Sequence, residues 1–135
     1  MILWNEPWPR RVLRLSLAQE PQAVRKLGPN DKLKVAVIGV NGQGGTHLVE
    51  WLKNRDCDLV AVCDVDPAAY EKHVGKFKAL KQQPRYEQDV RKLLEYKTID
   101  AVSIATPNHW HALMAVWAMQ AGKDVYVEKP CSHNV

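Results

Sequence analysis

Residues 35–47, Val35-Ala36-Val37-Ile38-Gly39-Val40-Asn41-Gly42-Gln43-Gly44-Gly45-Thr46-His47, decide the architecture. The first four form a continuous apolar run, three of them β-branched, bounded by Lys34 and Gly39. Such a run suits a strand buried on both faces. A glycine-rich turn follows, and over 45–54 Leu48, Trp51 and Leu52 recur at helical spacing. Strand, glycine turn and helix in that order open a βαβ unit.

The alternation continues outward from this stretch. Leu59-Val60-Ala61-Val62-Cys63 reads as a second buried strand. Pro67 opens a helix at its first turn, where a missing N–H costs nothing, and that helix is expected to run to about Lys81. A short third strand is expected near Arg85-Tyr86. Asp89 or a neighbour then starts a helix carrying Val90, Leu93, Leu94 and Tyr96. Ala101–Ala105 reads as the fourth strand, 109–120 as a helix ended by Gly122, and Val125–Val127 as the fifth strand. Apolar strands alternating with helices imply an α/β fold with a parallel sheet covered on both faces. Right-handed crossovers make it doubly wound.

The 135 residues suffice for one domain with a core and fall short of two domains of ordinary size. Residues 1–32 hold Pro7, Pro9, Pro21, Gly28 and Pro29 without sustained periodicity. They read as a basic extension, expected to be poorly ordered, with a short helix near Pro21–Lys26. The folded domain is expected over 33–135. Of the 19 basic and 15 acidic residues, seven and three fall in 1–34, which accounts for the net charge of +4. The twelve of each sign that remain balance, so the folded part shows no basic footprint for nucleic acid.

Three cysteines without C-x-x-C spacing read as free thiols in a reducing compartment. No apolar run approaches the ~18 residues of a membrane span, and no membrane partner is expected. Arg10-Arg11 before Val12-Leu13 resembles a twin-arginine signal. Arg14 interrupts its apolar stretch, and Gln19, Glu20 and Gln22 follow too soon. A cytoplasmic location is expected, with twin-arginine export as the alternative should an upstream signal have been lost.

Against the pattern G-x-G-x-x-G, Gly39 and Gly44 match, and Asn41 holds the middle position. Gly39 permits the tight turn, and Gly44 lets helix and strand approach closely. The helix N-terminus behind them offers unpaired N–H groups and partial positive charge to a pyrophosphate. Asn tolerates left-handed backbone better than most residues, and Gly42 beside it leaves room. A glycine-rich turn alone could be a plain turn. What separates the two readings is the strand before it, the helix after it, and Asp64, 20 residues beyond Gly44 at the end of the second strand. There a carboxylate accepts hydrogen bonds from an adenosine ribose. The stretch Asp64-Val65-Asp66-Pro67-Ala68-Ala69 holds no Arg or Lys, and two carboxylates would repel a 2′-phosphate. NAD is therefore expected over NADP. The binding candidates here are Gly39, Asn41, Gly42, Gln43, Gly44, Asp64 and Val65.

The fourth strand ends in Thr106-Pro107-Asn108-His109-Trp110-His111 and the fifth in Glu128-Lys129-Pro130, both at the carboxyl edge where α/β sheets bind ligands. The stretches VAVIGVNGQGGTH, VAVCDVDP, IDAVSIATPNHWHA and GKDVYVEKPCSHN, in this order and spacing over 33–135, resemble the Gfo/Idh/MocA superfamily of glucose–fructose oxidoreductase and inositol dehydrogenase. The E-K-P after the fifth strand is the most specific of them. The resemblance implies a Rossmann domain followed, beyond Val135, by an α/β domain that binds a sugar or polyol. It implies that Lys129 is catalytic, near the nicotinamide and the reacting hydroxyl, and that the Lys129–Pro130 peptide is cis. An ammonium there would stabilise developing oxyanion character or help move the proton. It implies too that Glu128 shapes the nicotinamide pocket and that Thr106, Pro107 and Asn108 line the cofactor cleft.

Other residues carry milder expectations. His109 and His111 lack a third ligand, so no metal is expected. His111 is expected to orient backbone at a helix start, and Trp110 to border the cofactor or cover the cleft. His47, at the family's usual position, reads as packing or local hydrogen bonding, His73 as exposed, and Cys63 as strand core. Cys131 has no activating base in view and is not read as a nucleophile. A sheet ending at its fifth strand is expected to leave apolar surface open near Trp110, Trp117 and Val127. The function expected is the cofactor half of an oxidoreductase moving hydride between NAD and a CH–OH group of a sugar, cyclitol or polyol, homo-oligomeric at full length. One alternative is an NAD-dependent glycoside hydrolase of the same superfamily, which oxidises the sugar's C3 transiently. The other is a non-enzymatic NAD-binding module.

Overall fold

A computed structural model describes residues 26–132. The helix expected near Pro21–Lys26 lies, apart from Lys26, outside the described residues, as does the extension's order up to residue 25. The elements are β1 (Leu33–Ile38), α1 (Gly44–Lys53), β2 (Cys57–Cys63), α2 (Pro67–Glu71), α3 (Val74–Ala79), β3 (Arg85–Glu87), α4 (Val90–Leu94), β4 (Ala101–Ile104), a 3-10 turn (Asn108–Trp110), α5 (His111–Gln120) and β5 (Asp124–Val127).

The five strands are all parallel, in the order β3-β2-β1-β4-β5. The chain winds outward from β1 to β3, then returns to β1's other side and winds out to β5. The strand order therefore reverses between β1 and β4, and such a switch point opens a crevice at the carboxyl ends. Strand alternation sorts the core into two layers. Ala36, Ile38, Ala61, Cys63, Val102 and Ile104 pack with Leu93, Leu94, Met114 and Ala118 of α4 and α5. Val37, Leu59 and Val62 face the other way, onto Leu48 and Leu52 of α1, Ala69 of α2 and Phe77 of α3. Between Val35 and Ala36 the register with β2 shifts, so that Leu59 and Ala61 oppose successive residues of β1. The extra residue of this bulge lets Leu59 and Val62 point to the same face although they are three apart.

The helix expected from Pro67 to Lys81 is two helices, broken at Lys72-His73. The apolar spacing of Ala69 and Phe77 is met by both pieces, which periodicity alone does not distinguish from one helix. The break has a cause in His73, whose ring turns inward and bonds the Val40 carbonyl. His73 is 8% exposed, which overturns the expectation of an exposed side chain. The helix from Asp89 stops at Leu94, so Tyr96 lies outside it. The tyrosine hydroxyl donates instead to Glu87 at 2.7 Å.

Gly122 ends α5 with φ +71°, and the bonds Gly122 N–H to Met119 O and Lys123 N–H to Ala118 O form a Schellman cap. Lys123 is buried, and its ammonium donates to the Tyr96 and Ile99 carbonyls. Among the large apolar side chains left open are Trp110, Leu113, Val116, Met119 and Tyr126. The open apolar surface expected near Trp110, Trp117 and Val127 is carried by these side chains, while Trp117 and Val127 themselves are half-buried on the α4–α5 layer. No helix among the described residues is long and apolar enough to cross a membrane.

Candidate functional site

A cleft of about 1170 Å³ runs along the carboxyl ends of β1 to β4. Its floor is the turn after β1. Gly39 has φ +81°, a region that L side chains rarely adopt, and a Cβ there would lie 2.9 Å from the Thr106 side chain. A Cβ on Gly44 would lie 1.6 Å from the Gly39 carbonyl oxygen. The two glycines therefore let the loop close on itself directly beneath the start of α1.

Val40 is held through both of its peptide groups. Its N–H donates to Asp64 Oδ2 at 2.8 Å, and its carbonyl lies 3.0 Å from His73 Nε2. Asp64 Oδ1 accepts from the Asp66 N–H at 3.0 Å, which fixes the carboxylate at the end of β2. Asp66 and Asp89 cap α2 and α4 with their side chains. The helix that opens from the glycine loop, α1, has no such cap: Gln43 makes no side-chain capping bond. An anion at this terminus would take the place of the missing cap.

The end of the cleft nearest Asp64 is walled by the segments after β2 and β3. Val65 is 78% exposed there, its carbonyl accepting from Gln88 Nε2 at 2.7 Å. The Tyr96 hydroxyl donates to Glu87 and holds that carboxyl below its usual range. Arg91 also lines the cleft, but Asp89 engages its guanidinium twice, at 3.0 and 2.8 Å. Lys72 reaches back to Asn41 Oδ1 at 2.6 Å. The local stretch after Asp64 is free of cations, yet the fold brings three cationic residues, Lys72, Arg91 and Lys92, to its neighbourhood from elsewhere.

Of the predicted site residues, Gly39, Asn41, Gly42, Gln43, Asp64, Val65, Thr106 and Pro107 line this one cleft. Gly44 is buried beneath it. Asn108 does not line it; it begins the 3-10 turn, exposed. Glu128 and Lys129 stand apart from the cleft wall, beyond the end of β5. Lys129 is exposed and is followed by a cis peptide to Pro130. His111 binds this loop to the rest. Its ring nitrogens lie 2.7 Å from the Pro130 and Thr106 carbonyls, so it orients backbone at the start of α5.

His47 departs from the expectation of local bonding. Its partners are Ser103, 56 residues away in sequence, and Glu128, 81 residues away. Burial raises the Cys63 thiol to about 12, consistent with a strand-core residue rather than a nucleophile. Among the described residues no group of three or more His, Cys, Asp or Glu could hold a metal ion. Spacing in the sequence singled out neither Lys72, His73 nor Gln88. Their contacts lie 23 to 33 residues away, and only the inward turn at 72–73 creates the first two.

Residues 33–135 match the Gfo/Idh/MocA family, described as an oxidoreductase family with an NAD-binding Rossmann fold. The chain belongs to this family. A glycosyl hydrolase family 109 protein of Stenotrophomonas maltophilia is 40% identical over 104 residues, covering 72% of this chain and 23% of that protein. An alpha-N-acetylgalactosaminidase of Shewanella oneidensis is 34% identical over 108 residues, covering 76% and 24%. Scyllo-inositol dehydrogenase of Lactobacillus casei, solved with bound NAD(H) and scyllo-inositol, superposes with a TM-score of 0.67 at 28% identity, covering 77% of this chain and 30% of that one. The Gfo/Idh/MocA chain described here thus spans about a quarter of the length of the curated relatives it matches.

Proposed function

We propose that this Gfo/Idh/MocA domain binds NAD in preference to NADP. It would serve an enzyme acting on a CH–OH group of a sugar, cyclitol or polyol. The observation that carries the reading is Asp64: a carboxylate fixed to the glycine loop by the Val40 N–H, across the cleft from an uncapped helix. That pair offers an acceptor for ribose hydroxyls and a donor terminus for a pyrophosphate, at the two ends of one loop. The cleft has the volume of a small-molecule site. Two carboxylates, Asp64 and Asp66, line the cleft beside the end of β2 and would repel a 2′-phosphate. Of the cations lining the same cleft, Arg91 is engaged by Asp89, and Lys92 lies next to it on α4.

In this reading Gly39, Asn41, Gly42, Gln43 and Gly44 shape the phosphate site, and Asp64 and Val65 hold the adenosine. Thr106, Pro107 and Asn108 lead toward the nicotinamide, with Glu128 and Lys129 at the far end. NAD, when bound, supplies the hydride acceptor. Lys129 would face the reacting hydroxyl and help to take its proton as the carbinol carbon is oxidised. Titration of NAD and NADP into the chain tests the cofactor assignment. Saturable NAD binding, weakened about tenfold or more in Asp64→Ala through loss of charge-assisted bonds, is expected. Equal or tighter binding of NADP would overturn the preference.

A second reading has a specific support. The relatives named glycosyl hydrolase family 109 are 33–40% identical to this chain, above the 26–29% of the inositol dehydrogenases. On that reading the whole protein would cleave a glycoside by transient oxidation and return the hydride. Glycoside cleavage without net NADH formation favours this second reading. NADH accumulation with a free polyol favours the first.

A further inference from the structure

α1 begins at Gly44, so His47 lies one turn inside the helix that opens from the phosphate loop. On β4 and β5, Val102, Ile104, Val125 and Val127 turn toward the α4–α5 layer. The alternate positions, Ser103, Tyr126 and then Glu128, turn toward α1. His47 meets all three. Its Nδ1 lies 2.9 Å from Ser103 Oγ and its Nε2 lies 2.8 Å from Glu128 Oε1. Its ring stands edge-on to Tyr126 at 5.4 Å between centroids.

One bond has a fixed direction. A carboxylate only accepts, so Nε2 carries a proton and donates to Glu128, while Nδ1 and the Ser103 hydroxyl share the second bond. Both ring nitrogens are then satisfied in a side chain that is 9% exposed. The His47 bond is the chief cause holding the Glu128 carboxyl below its usual range. The other oxygen of Glu128 accepts from the Lys129 N–H at 3.3 Å. A continuous series of bonds thus runs from the buried centre of β4 through α1 to the backbone of Lys129.

We propose that His47 is a positioning residue: it sets Glu128, and through it Lys129, relative to the phosphate loop, and so aligns the nicotinamide end of the site with the pyrophosphate end. This rests on the reading above, in which the Glu128–Lys129 loop borders the nicotinamide. One helix then carries both references, its N-terminus for the phosphates and its fourth residue for the loop beyond β5. A packing residue at this point would fill the space without giving the carboxylate an orientation.

The test compares NAD with ADP-ribose, which lacks only the nicotinamide, on the full 135-residue chain and its variants. His47→Leu is expected to weaken NAD about tenfold, the scale of one lost charge-assisted bond, and to leave ADP-ribose within about twofold. His47→Gln, which keeps an N–H donor, is expected to recover part of the NAD affinity. Equal losses for both ligands would mean a merely structural role and would overturn the proposal, as would unchanged NAD affinity. If His47→Leu fails to fold, as judged by circular dichroism, Glu128→Gln and His47→Gln carry the same ratio measurement. Equal affinity of the unsubstituted chain for NAD and ADP-ribose would overturn the proposal while leaving the Asp64 site standing. Binding of neither would remove the cofactor reading itself, and the proposal with it.

Discussion

At the scale of single residues, two glycines of one loop make opposite predictions. Gly44→Ala forces a Cβ to within 1.6 Å of the Gly39 carbonyl oxygen, and backbone cannot rotate away as a side chain can. A loss of about 3 kcal/mol or more is expected in urea unfolding. Gly42→Ala meets nothing within 4 Å and is expected to cost less than about 1 kcal/mol. The thiols divide in the same way. Cys57 and Cys63 are buried with raised pKa values, and Cys131 is exposed. Under native conditions an alkylating reagent should modify Cys131 promptly and the other two only on unfolding; rapid labelling of Cys63 would contradict its placement. The glycines and Asp64 were legible in the sequence because their meaning lies in spacing along the chain. His73 and Lys72 were not, because their partners on the loop lie 33 and 31 residues away and no local pattern marks them.

At the scale of elements, the order of strands and helices follows from the alternation of apolar runs, and β1 to β5 all stand where that alternation puts them. The single helix expected over 67–81 does not survive, and the reason is chemical rather than periodic. His73 ends α2 by giving its ring to the Val40 carbonyl, and α3 restarts behind it. The break therefore supports the glycine loop through the Val40 carbonyl. Replacing His73 by Ala leaves the Val40 carbonyl without this partner, at a cost of about 1–3 kcal/mol in denaturant midpoint analysis. His73→Asn, which restores a donor on a shorter side chain, should lose less. An equal loss in both would place the effect in packing rather than in the bond. The E-K-P loop was legible only through resemblance, since nothing in the composition of Glu128-Lys129-Pro130 distinguishes it from a solvated turn.

At the scale of the whole molecule, the carboxyl edge gathers carboxylates whose pKa values are lowered: Glu87 by the Tyr96 hydroxyl, Asp89 by Arg91 and Glu128 by His47. A carboxylate with a lowered folded pKa contributes stability that is complete above its ordinary value, 4.5 for Glu, and is lost as pH falls through the lowered one. The part of the melting temperature that these carboxylates supply should therefore hold down to about pH 4.5 and decline below it. Glu87→Gln should flatten that decline. A curve with the same slope in both proteins would show that Glu87 takes no part.

The strand order has a further, temporal meaning. The bond from Val40 to Asp64 closes 24 residues of chain, whereas that from Lys34 to Asp100 closes 66. Loop-closure entropy makes the shorter closure the easier one, so β1 and β2 can pair well before β4 arrives. The cleft, however, spans the ends of β3, β2, β1 and β4, and its wall from Ala105 to Pro107 arrives only with β4. The Asp64 side of the cleft is thus assembled early, and the cleft becomes complete only at the last long-range step. A dinucleotide would act on the folding chain late, slowing the undocking of β4 and β5 rather than hastening the first collapse.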